Sequence, residues 1–358
     1  MRHYILALLL LFTPSLSFGE TIAFDDPRWT ITGPNTTIVH YKGQQALYAP
    51  QGGAYLPDAN FIDGIIEFDM LFPDDTRGFS GVNWRRQKDG SYENFYIRPH
   101  LSGKEDGTQY TPSIKGDTGW QLYFGPGYTV TLDHTYDKWV HIKVISSGDQ
   151  AEIYVDSEDP VLFIKDLKAD LGAGTIGVST NLAPTFYANF SYQKIDNPPL
   201  KGTALPEKKQ VDGLIQKFSI SELLADDNTN PNDYTGSWIT QEIETMGALN
   251  LSRHRDRTEG HNSVLVRMTV NSDRDQLKKF SFGYSDDAIV YMNGNPISGG
   301  THLYQSRDYR HLGSIGLFDD VYLPLKSGNN DIYFAVKENF GGWGFMGKFE
   351  DMNGIIIN

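Results

Sequence analysis

Short alternating runs of apolar and polar residues, separated by Gly, Asp, Asn or Pro, make up most of the chain. Almost no segment shows the 3.6-residue apolar period of a helix, whereas a period of two is typical of a strand with one buried face. The strands predicted with the clearest alternation are 37–41, 64–71, 80–86, 92–98, 120–124, 139–146, 150–155, 263–270, 278–284, 288–292 and 331–337. The expected fold class is therefore all-β.

A segment rich in proline and charge, residues 196–210, interrupts this alternation. It has no apolar period, which is typical of a linker. We therefore expect two β-sandwich domains of the jelly-roll type, 20–195 and 211–358, joined by this Pro-rich linker. In the second domain Asn293-Gly294 predicts a two-residue hairpin, because both positions accept positive φ. Residues 220–224 predict a short helix.

Residues 1–19 have the pattern of a secretory signal peptide. The first three residues carry positive charge, an apolar run extends from Tyr4 to Phe12, and Gly19 suits cleavage before Glu20. The apolar run is too short to span a bilayer comfortably, and an uncleaved anchor is the alternative. We expect a secreted or periplasmic protein that has no membrane span after cleavage.

The cysteine count and the net charge exclude several kinds of site and several classes of partner. The chain has 0 cysteines, which excludes disulfides, thiolate metal sites and a cysteine nucleophile, so its domains must be stable through burial. The net charge of −14 argues against nucleic acid or an anionic membrane as the partner. Neutral sugars or cations are more compatible with this negative charge than nucleic acid or an anionic membrane is. We therefore expect a polysaccharide or oligosaccharide partner and no nucleic acid.

Strand alternation in the first domain predicts one polar, aromatic and cationic sheet face. Val82, Trp84, Phe95 and Ile97 take the opposite, apolar face, and Glu93 breaks the alternation by lying with them. The residues predicted on the polar face are Asn83, Arg85, Tyr92, Asn94, Tyr96, Arg98, Gln121 and Tyr123. Aromatic rings stack on sugars while Arg, Asn and Gln bond their hydroxyls, so this face suits a pyranose. The alternative is a solvated sheet face.

Two further regions supply candidate binding residues. The loop that leaves strand 92–98 offers His100, Gln109 and Tyr110, because loops on a rigid scaffold often carry binding residues. In the second domain Trp343, flanked by glycines, predicts either a stacking platform or a plug between the domains. Its expected polar companions are Arg307 and Asp308, which could also form a simple ion pair.

Several runs in the first domain resemble the concanavalin-A-like lectin/glucanase superfamily, close to laminin-G-like bacterial modules. They are Gly-Phe-Ser-Gly-Val-Asn-Trp-Arg at 78–85, Tyr-Glu-Asn-Phe-Tyr-Ile-Arg-Pro-His at 92–100 and Trp-Gln-Leu-Tyr at 120–123. The stretch with Gly-x-Ser-Gly-x-x-x-Arg before Tyr-Glu also resembles the 3-keto-disaccharide hydrolase group. The resemblance covers about half of the mature chain. It implies a two-sheet jelly roll with its ligand on the concave sheet or the rim loops.

The second domain is similar to galactose-binding-like jelly rolls that accompany glycoside hydrolases. The similarity is carried by residues 282–294, Phe-Gly-Tyr-Ser-Asp-Asp-Ala-Ile-Val-Tyr-Met-Asn-Gly, and by Leu-Pro-Leu at 323–325. Such modules often bind sugar and often merely pack against a neighbouring domain. The resemblance therefore leaves both roles open for this domain.

The catalytic motif of the laminarinase-type relatives is incomplete. They use Glu-x-Asp-x-(x)-Glu on one strand, and here Glu67-Phe-Asp69 is followed by Met70 and Leu71 where a third carboxylate would stand. We expect Glu67 and Asp69 on the solvent side of a strand. Catalytic residues are otherwise unknown. The weak candidates are Glu93, Tyr96 and His100, with an arginine neutralising a uronate in the case of a lyase.

No metal ligand is assigned from the sequence, and no cofactor is certain. Residues 226–230 begin like a calcium loop, but Pro231 replaces the turn glycine and Ser237 stands where a bidentate Glu should be. The concanavalin-A-like resemblance leaves one structural calcium open, with Asp25, Asp26 and Asn189 as its candidate ligands.

Three functions remain open at this point. The first is a secreted carbohydrate-binding protein that recognises a glycan on the polar aromatic face of the first sandwich. The second is a carbohydrate-active enzyme, a glycoside hydrolase or polysaccharide lyase, with a non-standard acid/base set. The third is a structural or adhesion module of the cell surface. The glycan, its linkage and the oligomeric state are not determined by the sequence.

Overall fold

A computed structural model of the chain consists mainly of β-strands and the turns between them, in the residues that it describes. It describes residues 19–169, 172–202, 211–226, 228–306 and 312–358, and within these ranges there is no α-helix. The expected all-β class is confirmed. The strands form two pairs of sheets, one built from residues 30–194 and the other from residues 217–357.

The first sandwich consists of two seven-stranded sheets and a small hairpin. The front sheet has the strand order β1-β4-β15-β6-β7-β8-β11, the back sheet has the order β14-β13-β12-β5-β16-β3-β2, and β9 pairs with β10. The strands are β1 (Thr30–Thr32), β2 (Thr37–Tyr41), β3 (Gln44–Ala49), β4 (Gly52–Phe61), β5 (Gly64–Leu71), β6 (Phe79–Arg86), β7 (Glu93–Ile97), β8 (Thr108–Tyr110), β9 (Ser113–Ile114), β10 (Asp117–Thr118), β11 (Thr129–Val130), β12 (Val140–Ser147), β13 (Gln150–Val155), β14 (Leu162–Ile164), β15 (Gly174–Asn181) and β16 (Thr185–Lys194).

The second sandwich has a large and a small sheet. The large sheet has the order β18-β17-β20-β25-β22-β23, with β27 also paired to β20, and the small sheet has the order β19-β26-β21-β24. The strands are β17 (Lys217–Ser221), β18 (Trp238–Glu242), β19 (Leu249–Asn250), β20 (Ser263–Ser272), β21 (Gln276–Ser285), β22 (Asp287–Met292), β23 (Asn295–Thr301), β24 (Asp319–Leu325), β25 (Gly328–Lys337), β26 (Gly344–Phe349) and β27 (Ile355–Ile357). Single 3₁₀ turns lie at Pro99–Leu101, Pro231–Asp233 and Leu251–Arg253.

Each sandwich has its own apolar core. In the first, Trp84 and Phe95 of the front sheet meet Phe68 and Ile142 of the back sheet, and all four are fully buried. In the second, aromatic and branched side chains of both sheets pack together in the same way. Alternating strands produce this arrangement because every second side chain points inward.

Most of the predicted strands are present, and the differences have physical causes. The Asn293-Gly294 turn joins β22 to β23 with positive φ at both residues, as predicted. The predicted helix at 220–224 is wrong, since β17 runs to Ser221 and Leu224 forms a bridge to Ser263. The predicted strand at 120–124 is also wrong. Leu122 N and Tyr123 N both donate to Gly119 O, so this segment is a tight turn.

A β-bulge in β6 redirects Arg85. Thr175 pairs with Arg86 and Gly177 pairs with Asn83, so two residues of β6 lie opposite one residue of β15. Arg85 has a φ of 54°, and a bulge residue in such a conformation turns its side chain away from the regular alternation. The guanidinium consequently reaches the end of the sandwich. There it forms an ion pair with Asp63 at 2.8 Å and donates to the carbonyl oxygen of Ile62 at 2.9 Å.

The turn at 119–123 joins the two sandwiches. Gln121 N donates to Gly341 O at 3.0 Å, and Ile315 N donates to Gln121 O at 2.9 Å. The Gln121 side chain accepts a hydrogen bond from Ser285 Oγ at 2.9 Å. Nearby, Arg257 Nε donates to Asp117 Oδ2 at 2.9 Å. We call this contact region the seam.

Glu93 lies on the core face of the front sheet, as its break in the alternation predicted, and it is fully buried. It accepts hydrogen bonds from Tyr110 OH at 2.5 Å and from Ala169 N at 2.8 Å. Burial raises the pKa of Glu93 from 4.5 to about 7 despite these bonds. The unfolded chain releases this proton at lower pH than the folded chain. The stabilisation is thus complete below pH 4.5 and is lost as the pH rises through about 7.

The substitution Glu93→Gln should flatten the dependence of stability on pH. Between pH 4.5 and 8 the wild type should lose up to about 3 kcal/mol through this carboxyl, whereas glutamine cannot ionise. Urea denaturation at a series of pH values measures the difference. Glu105→Gln, at an exposed carboxyl, should keep the wild-type slope. If Glu93→Gln keeps that slope as well, another group causes the pH dependence.

The substitution Gln121→Ala should weaken the seam. It removes the acceptor for Ser285 Oγ and the donor to Leu312 O, and unpaired buried groups cost about 1–3 kcal/mol of folding free energy. Urea denaturation should show this loss. The control Gln216→Ala removes an exposed side chain whose one hydrogen bond within the described ranges goes to Leu214 O, so its midpoint should remain that of the wild type. Equal midpoints for both variants would contradict the structural role of the seam.

Candidate functional site

The polar face predicted on the front sheet is present, but its central residues are buried. Asn83, Asn94 and Tyr96 alternate with the core residues as expected, and each of them is at least nine-tenths buried. Gln109, predicted in the loop after this strand, lies on β8 opposite Tyr96 and is fully buried. The Tyr55 ring covers part of this face. It occupies the space where a side chain on Gly177 would lie, and Gly177 is two strands away from Asn94. The expectation of an open polar face is therefore wrong for Asn83, Asn94 and Tyr96, and the loop candidate Gln109 is buried with them.

Tyr96, Arg98 and Gln109 form one hydrogen-bonded group. Tyr96 OH donates to Gln109 Oε1 at 2.8 Å, while Arg98 donates to Tyr96 OH at 2.9 Å and to Gln109 Oε1 at 3.0 Å. Burial raises the pKa of Tyr96 to about 12, although Arg98 lowers it. Tyr96 is therefore a neutral hydrogen-bonding partner at neutral pH. Of the three, only Arg98 is partly exposed.

Other predicted members of the face lie elsewhere. Arg85 is at the end of the sandwich, beside Asp63. Tyr110 points into the core with Glu93. Gln121 and Tyr123 belong to the seam, where Tyr123 OH donates to Glu244 at 3.0 Å. Strand alternation could not predict where Gln121 and Tyr123 point, because the segment that carries them is a turn.

Trp343 is neither a platform nor a plug. It is fully buried in the core of the second sandwich, where its Nε1 donates to Val336 O at 3.4 Å. Its predicted companions Arg307 and Asp308 lie outside the described residues. The exposed aromatic of the same loop is Phe340, which the sequence analysis did not single out.

The weak catalytic candidates are not brought together. Glu93 lies on the core face of the sheet, whereas Tyr96 lies on the opposite face. His100 sits in the 3₁₀ turn after β7, where its Nδ1 accepts a hydrogen bond from Gly78 N at 3.4 Å. Burial lowers the pKa of His100, and the charges of Arg77 and Arg98 lower it further. An acid/base set of these three residues is therefore not assembled.

Two clusters of rings and guanidinium groups at the front sheet are accessible to solvent. The first, which we call the Arg86 patch, consists of Tyr55, Arg86 and Tyr92. The Arg86 guanidinium lies 4.7 Å from the centre of the Tyr55 ring and 5.1 Å from that of Tyr92. All three side chains are partly exposed. No hydrogen bond or ion pair joins this guanidinium to any residue in the described ranges.

The second cluster spans both sandwiches, and we call it the Arg98 patch. It consists of Arg77, Arg98, Trp120, Tyr304 and Phe340. The Trp120 ring lies 5.7 Å from the Arg98 guanidinium, 6.0 Å from the Tyr304 ring and 5.9 Å from the Phe340 ring. Arg77 donates to Tyr304 OH at 3.3 Å. Phe340 is 63% exposed and Tyr304 is 37% exposed, so the rings present apolar surface to solvent.

Hydrogen bonds fix Trp120 in this position. The Gln109 amide donates to Trp120 O at 2.9 Å and to Tyr123 O at 2.7 Å, which holds the turn against the front sheet. A hydrogen bond also fixes the backbone of Phe340, since Phe340 N donates to Asp286 Oδ2 at 2.7 Å. Loops that are fixed by hydrogen bonds, one from each sandwich, therefore carry Trp120 and Phe340.

Glu67 and Asp69 lie on the outer side of the back sheet, as predicted. His141 Nδ1 lies 2.8 Å from Asp69 Oδ1 and its Nε2 lies 3.7 Å from Glu67 Oε1. These contacts raise the pKa of His141 to about 9. The group is thus an ion-paired cluster with a charged histidine at neutral pH, and it lies on the other sheet from both patches.

A cleft of about 570 Å³ lies along the seam. Lys168 and Arg253 both pair with Glu244 there, at 3.3 and 2.7 Å. The residues that line it are Asp149, Asp166, Leu167, Lys168, Ala169, Glu242, Ile243, Glu244, Thr245, Asn250, Arg253 and His254. Asp166 also pairs with Lys168, so these two cations and two anions balance, and the cleft is part of the contact between the sandwiches.

The candidate calcium ligands take part in separate pairs. Asp25 accepts a hydrogen bond from Gln45, Asp26 binds Arg28, and Asn189 donates to Asp69. Within the described ranges, no three His, Asp or Glu residues are grouped as metal ligands. The calcium remains a prediction. No helix in the same ranges is long and apolar enough to cross a membrane.

No family model matches the chain, and no curated protein matches it. Among solved structures, the carbohydrate binding module CBM66 from Bacillus subtilis is similar, with 17% identity and a TM-score of 0.35 over 47% of this chain and 96% of that one. A Bacillus subtilis protein of unknown function with a galectin-like fold has 13% identity and a TM-score of 0.35 over 48% of this chain and 90% of that one.

A Bacillus licheniformis β-glucanase has 11% identity and a TM-score of 0.33 over 47% of this chain and 92% of that one. Similarity at this level says nothing about activity or ligands. The two-sheet architecture of the first sandwich is the one that the concanavalin-A-like resemblance implies. The narrower families and the galactose-binding-like assignment of the second sandwich remain predictions.

Proposed function

We propose that the protein binds a carbohydrate at the Arg98 patch. The observation that carries this proposal is the convergence of three accessible rings, Trp120, Tyr304 and Phe340, beside the guanidinium of Arg98. Rings of this kind offer apolar faces for stacking on the C–H face of a sugar. Soluble proteins rarely leave such apolar groups clustered on their surface without a binding role.

The polar atoms around the rings complement this stacking. Arg98 has a planar group with hydrogen-bond donors, and Arg77 is exposed beside Tyr304. The planar guanidinium of an arginine can donate two hydrogen bonds to a pair of acceptor atoms on a ligand. An ammonium group, which acts as a single point charge, fits such a pair less well. Rings and donors together favour a ligand that has both apolar faces and many oxygens, which describes an oligosaccharide.

Rigid loops favour recognition without a large rearrangement. The turn that carries Trp120 is bound on one side by Gln109 and on the other by Gly341 O and Ile315 N. A ligand therefore does not have to order this segment, and the conformational entropy lost on binding is small. The secreted or periplasmic location expected from the sequence is part of this proposal.

Removing one ring of the patch should abolish or strongly weaken binding. Isothermal titration of the full chain against a panel of polysaccharides should show binding by the wild type, and Phe340→Ala and Trp120→Ala should each weaken it about tenfold or more because stacking area is lost. Phe340 is 63% exposed, so its removal should leave the unfolding midpoint unchanged.

Tyr322→Ala is the matched control. Tyr322 is an equally exposed aromatic of the second sandwich, at 61%, and it lies on β24 away from the seam. This variant should bind like the wild type. Glycan binding that survives both ring substitutions would place the site elsewhere, and no binding to any glycan would refute the proposed function.

A further inference from the structure

The arginines of the first sandwich fall into two groups. The sandwich contains five, of which Arg28 pairs with Asp26 at 2.7 Å and Arg85 pairs with Asp63 at 2.8 Å. The three others form no ion pair with any residue in the described ranges. They are Arg77, Arg86 and Arg98, and all three belong to the two patches of the front face.

This grouping is unusual for the composition of the chain. With 45 acidic and 31 basic residues, most arginines would be expected to have a carboxylate neighbour. The partners of Arg98 are instead neutral: the oxygens of Tyr96 and Gln109 and the carbonyl oxygen of Asp106. Those of Arg86 are the faces of two tyrosine rings. A guanidinium with neutral partners keeps its charge uncompensated and available to an anion.

The local potential supports a positive surface. Among the charges that act on His100, those of Arg77 and Arg98, which lower its pKa, outweigh those of Asp106 and Asp75, which raise it. Asp75 and Asp106 are the acidic groups whose charges act on His100, and neither forms an ion pair with an arginine in the described ranges. Asp286, beside Phe340, accepts hydrogen bonds from the backbone N–H groups of Asn339 and Phe340. The net charge of −14 therefore does not describe this face.

The two patches lie at opposite ends of one strand. Tyr92 precedes β7 and Arg98 follows it, six residues later, which corresponds to about 20 Å along an extended chain. A single sugar ring cannot reach both guanidinium groups, whereas a chain of several sugars can. Each end combines rings with an unpaired arginine, so both ends suit the same kind of repeating unit.

We infer that the ligand of this face is an anionic polysaccharide, with carboxylate or sulfate groups that meet Arg86 at one end of β7 and Arg77 and Arg98 at the other. This inference rests on the proposed function and names the class of glycan. It replaces the neutral sugar that the net charge favoured. No covalent step is involved.

The test compares acidic polysaccharides with their neutral counterparts. Polygalacturonate, alginate, hyaluronan and chondroitin sulfate are titrated into the full chain beside the carboxyl-reduced form of each, which for chondroitin sulfate is also desulfated. The titrations are run in about 50 mM and about 500 mM NaCl, where surface charges are weakly and strongly screened. At least one acidic polymer should bind about tenfold more tightly than its neutral form at low salt. That preference should shrink at high salt.

Arg86→Gln and Arg77→Gln should each weaken binding of the acidic polymer about fivefold or more, because each removes one charged contact. Both residues lack an ion pair in the described ranges, so the unfolding midpoint should not change. Arg274→Gln is the control, since Arg274 is exposed in the second sandwich beside Asp273. Trp120→Ala should also weaken binding, which separates recognition from simple ion exchange.

The outcomes distinguish the two proposals. If the neutral polymers bind as tightly as the acidic ones and depend on Trp120, the proposed function stands and the inference of an anionic ligand is refuted. If acidic polymers bind but Arg274→Gln weakens them as much as Arg86→Gln does, the binding is non-specific and the inference is also refuted. If no polymer binds in either form, both proposals fail.

Discussion

Two hydrogen bonds from the amide of Gln109 organise the part of the molecule that carries the Arg98 patch. They bind the carbonyl oxygens of Trp120 and Tyr123 and so hold a turn of the first sandwich between the front sheet and the second sandwich. Gln109 is fully buried, and unpaired amides in such a place are costly. The turn therefore has one position, and Trp120, the seam and the neighbourhood of Arg98 all follow from it.

The seam explains why the candidate site needs both sandwiches. Arg98 and Trp120 come from the first, while Tyr304 and Phe340 come from loops of the second. Side-chain pairs such as Tyr123 with Glu244, and Asp117 with Arg257, lock the loops together beneath the surface. Neither sandwich alone would present the three rings in contact, so the second sandwich completes a surface of the first.

The buried polar layer and the exposed patches have different tasks. Tyr96 OH donates to Gln109 Oε1, and Gln109 donates to the carbonyl oxygens of the turn. Arg98 extends from this layer toward solvent. The layer fixes the direction of the guanidinium, which lies 5.7 Å from the centre of the Trp120 ring. An arginine held in this way loses little side-chain entropy when it binds, because its rotamer is already set.

Alternation by itself determined most of the strands and the identity of the face on which Asn83, Asn94, Tyr96 and Arg98 lie, because the period of two is a local property of an extended chain. It did not predict β4, and it assigned a strand to the turn at 119–123. It also placed Glu93 correctly among core residues. It could not determine how deeply that face is covered, because the Tyr55 ring that fills the space above Gly177 comes from a different strand. Nor could it detect the bulge that turns Arg85 away.

Only the tertiary structure decided which residues form the Arg98 patch. Trp120, Tyr304 and Phe340 are distant in sequence and meet through contacts across the seam, which no local pattern records. The same holds for charge: the sequence determined a net value of −14, while folding decided that Arg77, Arg86 and Arg98 stay unpaired on one face of the described structure. Composition is a sum over the chain, whereas recognition depends on which charges and rings lie within a few ångströms of one another.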